Sequence, residues 1–136
     1  MKDESIPGLE VVGHDGPGYK PLLESDGDWM AAIMNGTPTS WSVPEMIQKH
    51  PGTDELFVLV AGRAIMVVAG AGEKPGEIHQ VEMKPNVLYN VKRGYWHATL
   101  MSTDAKIVII ERTGTNIDGS VPGPLSESQR AAIKLN

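Results

Sequence analysis

No cysteine occurs in the 136 residues, which excludes a disulfide framework, a thiolate zinc site and a cysteine nucleophile together. Any bound metal must then be held by His, Asp, Glu or amide groups. Aromatic residues make up only 5% of the chain, and 12 Lys+Arg against 17 Asp+Glu give a formal charge of −5 with no basic run. That balance argues against binding to nucleic acid or to an anionic membrane. A membrane-spanning run is missing as well. The nearest approach, Leu56 to Gly72, is 17 residues long and carries one charge, Arg63, near its middle. There the charge would cost about 2.5–3.5 kcal/mol in a bilayer, and Gly62 beside it marks a turn, so the stretch reads as a hairpin of two buried strands. The opening Met1-Lys2-Asp3-Glu4-Ser5 lacks the basic-then-apolar build of a secretory signal. A cytoplasmic location is therefore expected, with Asn35-Gly36-Thr37 an idle sequon.

What the chain does have is punctuation. Fifteen Gly and ten Pro are spread through a composition that is otherwise ordinary, 40% hydrophobic and 21% charged, and the length suits one domain, 1–136. Helical periodicity is nearly absent, whereas short β-rich runs broken by turn residues recur, which predicts an all-β sandwich or barrel. Strands are expected near 9–12, 19–24, 29–34, 45–50, 55–60, 63–69, 78–83, 88–91, 96–101 and 106–112. Among the separating turns are Ser25-Asp26-Gly27, Pro51-Gly52-Thr53-Asp54 and Arg93-Gly94. Residues 43–49 are too short before Pro51 to make a good helix. Gly114 to Pro124 reads as irregular. Ser126-Glu127-Ser128-Gln129 has the form of a capping box and predicts a short helix over 127–134. The domain thus divides into N-terminal strands (9–34), a central core (about 45–112) and an irregular tail with a short helix (113–136). Gly70-Ala71-Gly72 with Gly76 misses the dinucleotide fingerprint and is read as a hairpin turn.

Three runs are apolar at every position: Leu56–Val60, Ala64–Val68 and Ile107–Ile110. A half-exposed antiparallel strand alternates, so both faces of these three want cover. The barrel interior supplies one cover. The other must come from an N-terminal flap, the C-terminal segment or a second subunit, and a homodimer is expected through outward faces near Val58, Val68 and Ile110.

Chemistry concentrates at two places. His50 and Glu55 flank a four-residue turn, and Glu55 opens an apolar strand, where pointing inward would leave a carboxylate in a dry barrel. Such a charge demands a cation, a proton or strong donors. Some forty residues on, Arg93-Gly94-Tyr95-Trp96-His97 delivers another His at the head of a strand. Strand alternation puts Thr99 and Met101 on the face of His97 and turns Trp96 away, into core or interface. His79 and His14 lack motif partners. Trp29 and Trp41 are read as structural residues that could edge a cavity mouth, and Tyr89 and Tyr95 as hydrogen-bond donors of open orientation.

These residues resemble the two motifs of the cupin superfamily. The first runs His-x-His, three or four residues, Glu, six residues, Gly; here Gln48-x-His50, four residues, Glu55, six residues, Gly62 has that spacing with Gln48 at the first His. The second runs Pro-x-Gly-x-x-His; here Lys92-Arg93-Gly94-Tyr95-Trp96-His97 keeps the Gly and the His. The resemblance spans roughly Gln48 to Arg112 and implies an antiparallel jelly-roll β-barrel with a metal at its centre. It implies His50, Glu55 and His97 as ligands of a divalent transition metal (Zn, Fe, Ni or Mn), with Gln48 adding a weak oxygen ligand or binding the polar end of a substrate. Two functions follow. One is a metal-dependent isomerase, lyase or dioxygenase acting on a small polar metabolite. The other is a metal-free cavity that binds or senses a small molecule, with both histidines hydrogen-bonded and Glu55 protonated or paired.

Overall fold

The computed structural model describes residues 1–113 and 120–136. Among the described residues twelve strands and one helix follow in chain order: β1 (Lys2–Asp3), β2 (Val11–Val12), β3 (Gly18–Ser25), β4 (Trp29–Asn35), β5 (Met46–Lys49), β6 (Glu55–Ala61), β7 (Ala64–Val68), β8 (His79–Glu82), β9 (Leu88–Val91), β10 (His97–Met101), β11 (Lys106–Arg112), β12 (Val121–Pro124) and α1 (Glu127–Ala132). The ten expected strands all appear within a few residues of their predicted bounds, and residues 46–49 are strand. All pairings are antiparallel.

Two five-stranded sheets face each other, ordered β12-β5-β10-β7-β8 and β3-β4-β11-β6-β9, with β1-β2 a separate ribbon. This is the jelly-roll arrangement. Between the sheets lie Met30, Phe57, Leu59, Met66, Met101, Ile107 and Ile109, all buried. A second core sits on the outer side of the first sheet, where Ile65, Val67, Trp96 and Leu100 are covered by Leu125 and Ile133 of the C-terminal segment. Each such fully buried side chain contributes roughly 1.5–3 kcal/mol. The apolar β7 therefore has one face in each core, and its second cover is the chain's own C-terminus. Val68, expected to face outward, packs against the inter-sheet core instead. On β6 and β11 the outward residues stay partly open, including Val60 at 53% and Ile110 at 38% exposure.

The tail needs one correction. Of the stretch expected to be irregular, residues 114–119 lie outside the described residues, but Val121–Pro124 forms a strand registered on β5, with Pro122 opposite Gln48 and Gly123 opposite Ile47. It is an edge strand, where prolines are tolerated because one side of the strand needs no ladder donors. The capping box is present: Ser126 Oγ accepts from Gln129 N at 3.2 Å, and Gln129 Oε1 accepts from Ser126 N at 2.8 Å. Gln129 Nε2 also donates to Pro75 O and Gly76 O at 2.7 and 2.9 Å, which pins α1 to that turn. No helix among the described residues is long and apolar enough to cross a membrane.

Candidate functional site

The inter-sheet space opens at one end, and the chemistry-bearing residues gather there. His97 opens β10 and pairs with Gln48 of β5; Glu55 opens β6 and pairs with Glu111 of β11. The first pair belongs to one sheet and the second to the other, so the site bridges the two. Its loops are tied together. The His50 carbonyl accepts from Gly94 N at 2.9 Å, Asp54 Oδ1 accepts from Arg93 N at 2.9 Å, and Asp54 Oδ2 accepts from Asn90 Nδ2 at 3.2 Å. Gly94 adopts φ +78°, the left-handed region that favours glycine. These bonds fix the turn carrying His50 against the turn carrying His97.

Three predicted residues converge. His50, Glu55 and His97 are all buried, and each offers a ligand atom within 4.8 Å of the others. Glu55 Oε1 is 2.9 Å from His97 Nε2 and 3.6 Å from His50 Nε2. His97 Nδ1 lies 3.1 Å from the Tyr95 carbonyl, an obligate acceptor, so Nδ1 carries the hydrogen. The facing Nε2 and the Glu55 carboxylate then present lone pairs to each other unless a positive charge, a proton or a metal ion, stands between them. His50 shows the same demand: both its buried ring nitrogens lack a hydrogen-bond partner among the described residues. Burial holds His50 below the usual histidine range and outweighs the pull of Glu55, which keeps the ring neutral and able to ligate. Burial opposes charge on Glu55, but hydrogen bonding to His97 and Glu111 outweighs it and holds the carboxyl below its usual range.

Gln48, the fourth predicted residue, lies on the same inner side but is exposed, and its Oε1 accepts from Ser120 Oγ at 3.0 Å. His79 is exposed on β8, and His14 Nε2 lies 3.1 Å from Gly18 O; neither joins the cluster. Trp96 is 1% exposed in the outer core, with Nε1 donating to Gly72 O at 2.8 Å. Trp41 stacks under the Arg63 guanidinium, 4.8 Å from the ring centroid, and Trp29 lies near half exposed on the outer surface. The Tyr89 hydroxyl accepts from Lys84 N at 2.8 Å, and Tyr95 serves His97 through its carbonyl.

Two site residues escaped the sequence reading. Glu111 is 4% exposed, opposite Glu55, and Tyr19 donates to its Oε1 at 3.3 Å. Burial, the adjoining Glu55 carboxyl and its charge push Glu111 up to about 8 against the opposing pull of Tyr19. Glu111 Oε2 has no hydrogen-bond partner among the described residues, and the Glu55 carboxyl beside it can share one proton with Glu111. Ile107, Ile109 and Glu111 alternate onto one face of β11, which would place Glu111 inward once the inner face of that strand is known. Tyr19, by contrast, belongs to a strand with Gly18 and Pro21, where the side of the sheet cannot be read from pattern.

A cavity of about 430 Å³ leads to this cluster, with Glu55 and His97 in its wall beside Gln48, Thr99 and Tyr19. No protein-family model matches the chain, and no curated sequence matches it. Solved structures do. A cupin-2 domain protein from Shewanella frigidimarina superposes with a TM-score of 0.53 at 17% identity, covering 72% of this chain and 84% of the other. KdgF from Halomonas sp. gives 0.52 at 12% identity, covering 82% and 86%. The capsular polysaccharide assembling protein CapF from Staphylococcus aureus gives 0.61 at 14% identity, covering 85% of this chain and 34% of CapF. The chain has the cupin fold.

Proposed function

We propose that this cupin binds one divalent transition-metal ion on His50, Glu55 and His97 and uses it to hold a small molecule in the adjoining cavity. The observation that carries the reading is the placement of His97, whose Nδ1 lies 3.1 Å from the Tyr95 carbonyl so that Nε2 is the nitrogen facing the Glu55 carboxylate, 2.9 Å away. A backbone carbonyl on the far nitrogen is the usual support of a ligating histidine. A bound ion would supply Lewis acidity to an oxygen of the small molecule. The chain's own residues do the rest: the ties between the His50 and Gly94 turns hold the ligand separation, the apolar barrel excludes water behind Glu55, and Glu111 holds the Glu55 carboxyl in place.

A second reading, a metal-free binding cavity, is favoured by one contact. His97 Nε2 and Glu55 Oε1 at 2.9 Å are already at hydrogen-bond distance, so a proton can serve where an ion would. Elemental analysis of protein purified after supplementation with Zn²⁺ separates the two. One equivalent per chain supports the metal site, and metal-free protein with an unchanged melting temperature overturns it. We further infer a homodimer. Val58, Ile110 and Leu88 share the outer face of β11-β6-β9, where Leu88 is 68% exposed, and a second copy would cover it.

A further inference from the structure

The cavity's lining restricts what it can take. Among the described residues that line it there is no Lys and no Arg. Much of its wall is apolar: Met34, Met46 and Ile109, with Phe57 edge-on to the His97 ring at 5.9 Å between centroids. Its uncharged polar groups are few. Thr99 stands beside His97, and Gln48 has its oxygen engaged by Ser120, which leaves its NH₂ as the donor offered to a ligand oxygen. The charged side chains facing it, Glu55 with Glu111 behind, are acidic or shared with a proton, and His97 is committed to Glu55 and the Tyr95 carbonyl.

From this lining we infer that the ligand is a monoanion with one oxygen-bearing, metal-seeking end and an apolar body, and not a dicarboxylate or a phosphorylated sugar. The inference rests on the metal reading above and goes further than a small polar metabolite. A first carboxylate finds its counter-charge in the ion. A second anionic group farther along the same ligand would find no Lys or Arg among the lining residues, only the half-exposed Met46 and the acidic Glu55 end, so it gains no counter-charge and gives up contact with the apolar wall. An apolar body gains there, because it removes its own surface and that of the methionines from water. The volume, about 430 Å³, is in the range of small-molecule sites and sets a size limit on that body.

The test is isothermal titration of the full chain loaded with Zn²⁺, its metal content fixed first by elemental analysis, with three probes: acetate, hexanoate and adipate. Hexanoate is expected to bind at least about tenfold more tightly than either acetate, which lacks the body, or adipate, which adds the second charge. Met46 is half exposed and tolerates replacement, so Met46→Lys places a cation on the wall without unfolding the barrel. That variant is expected to keep its zinc and to gain about tenfold for adipate. Adipate binding level with hexanoate, acetate level with hexanoate, or no measurable heat from hexanoate on zinc-loaded protein overturns the ligand class alone. An unchanged adipate affinity in Met46→Lys overturns the placement of the ligand in this cavity. A chain that takes up no zinc overturns the metal reading, and the ligand class falls with it.

Discussion

Glu55 and Glu111 stand opposite each other in register on β6 and β11, both about nine-tenths or more buried, one held below and the other pushed above the ordinary carboxylate range. Two carboxyls this close share one proton, since both cannot ionise in a dry interior. Glu55 keeps the charge because the histidines face it. Glu111 keeps the proton because Glu55 faces it.

This pair gives the metal-free protein a pH dependence with a definite sign. Glu111 binds its proton up to about pH 8 when folded and to about 4.5 when unfolded. Between those values the folded state holds the extra proton, so stability falls as pH rises across the window. Urea unfolding in the presence of a chelator should show that decline. Glu111→Gln, which keeps the shape and a donor, should flatten it. An identical slope in the Gln variant would show that Glu111 is not the group responsible.

Removing a ligand should release the ion. His97→Ala leaves two groups and is expected to abolish metal retention, whereas His79→Ala, on an exposed strand outside the cluster, should leave it intact. Binding to the folded state alone stabilises by RT ln(1 + [L]/Kd), about 4 kcal/mol at ~1,000 times Kd. Elemental analysis and thermal melts of the two variants check this. Equal metal in both would remove His97 from the site.

Gly62, the glycine that closes the first motif, is a steric requirement. Its φ is +70°, and a Cβ there would lie 2.5 Å from the Cα of Ala105, backbone that cannot step aside. Gly62→Ala should cost roughly 2–4 kcal/mol, combining the left-handed penalty with overpacking. Chemical denaturation measures it, and a loss under about 1 kcal/mol would mean that the turn relaxes.

Light scattering at micromolar concentration should report a dimer for the native chain and a monomer for Leu88→Asp. Leu88 is 68% exposed on one copy, so the substitution leaves the barrel intact. A monomeric native protein would end the dimer proposal.

The strands were legible because Gly, Pro, Asn and Asp interrupt short apolar runs, and the cluster was legible because His50, Glu55 and His97 sit at strand ends where alternation aims them inward. β12 was not, since Val121-Pro122-Gly123-Pro124 has none of the β-branched alternation that marks a strand; only its place at the edge, beside β5, makes it one. Glu111 shares the inward parity of Ile107 and Ile109, but the run before it is apolar at every position, so the sequence does not say which parity faces in. Which cover the two-faced β7 uses could not be read either. It depends on where the C-terminal segment returns, and Leu125 and Ile133 settle that only in three dimensions.

The position of β11 in its sheet has a consequence for biosynthesis. It runs between β4 and β6, pairing with both, yet it follows them in the chain by some seventy and fifty residues. Until the ribosome has released residues 106–112, the nascent β4 and β6 each present an unpaired edge rich in Ala, Ile, Leu and Val, the kind of template on which chains aggregate. Closing such distant pairings is intrinsically slow. The yield of folded protein on rapid overexpression is therefore governed by the arrival of this one strand, and slower synthesis at low temperature should favour the soluble product.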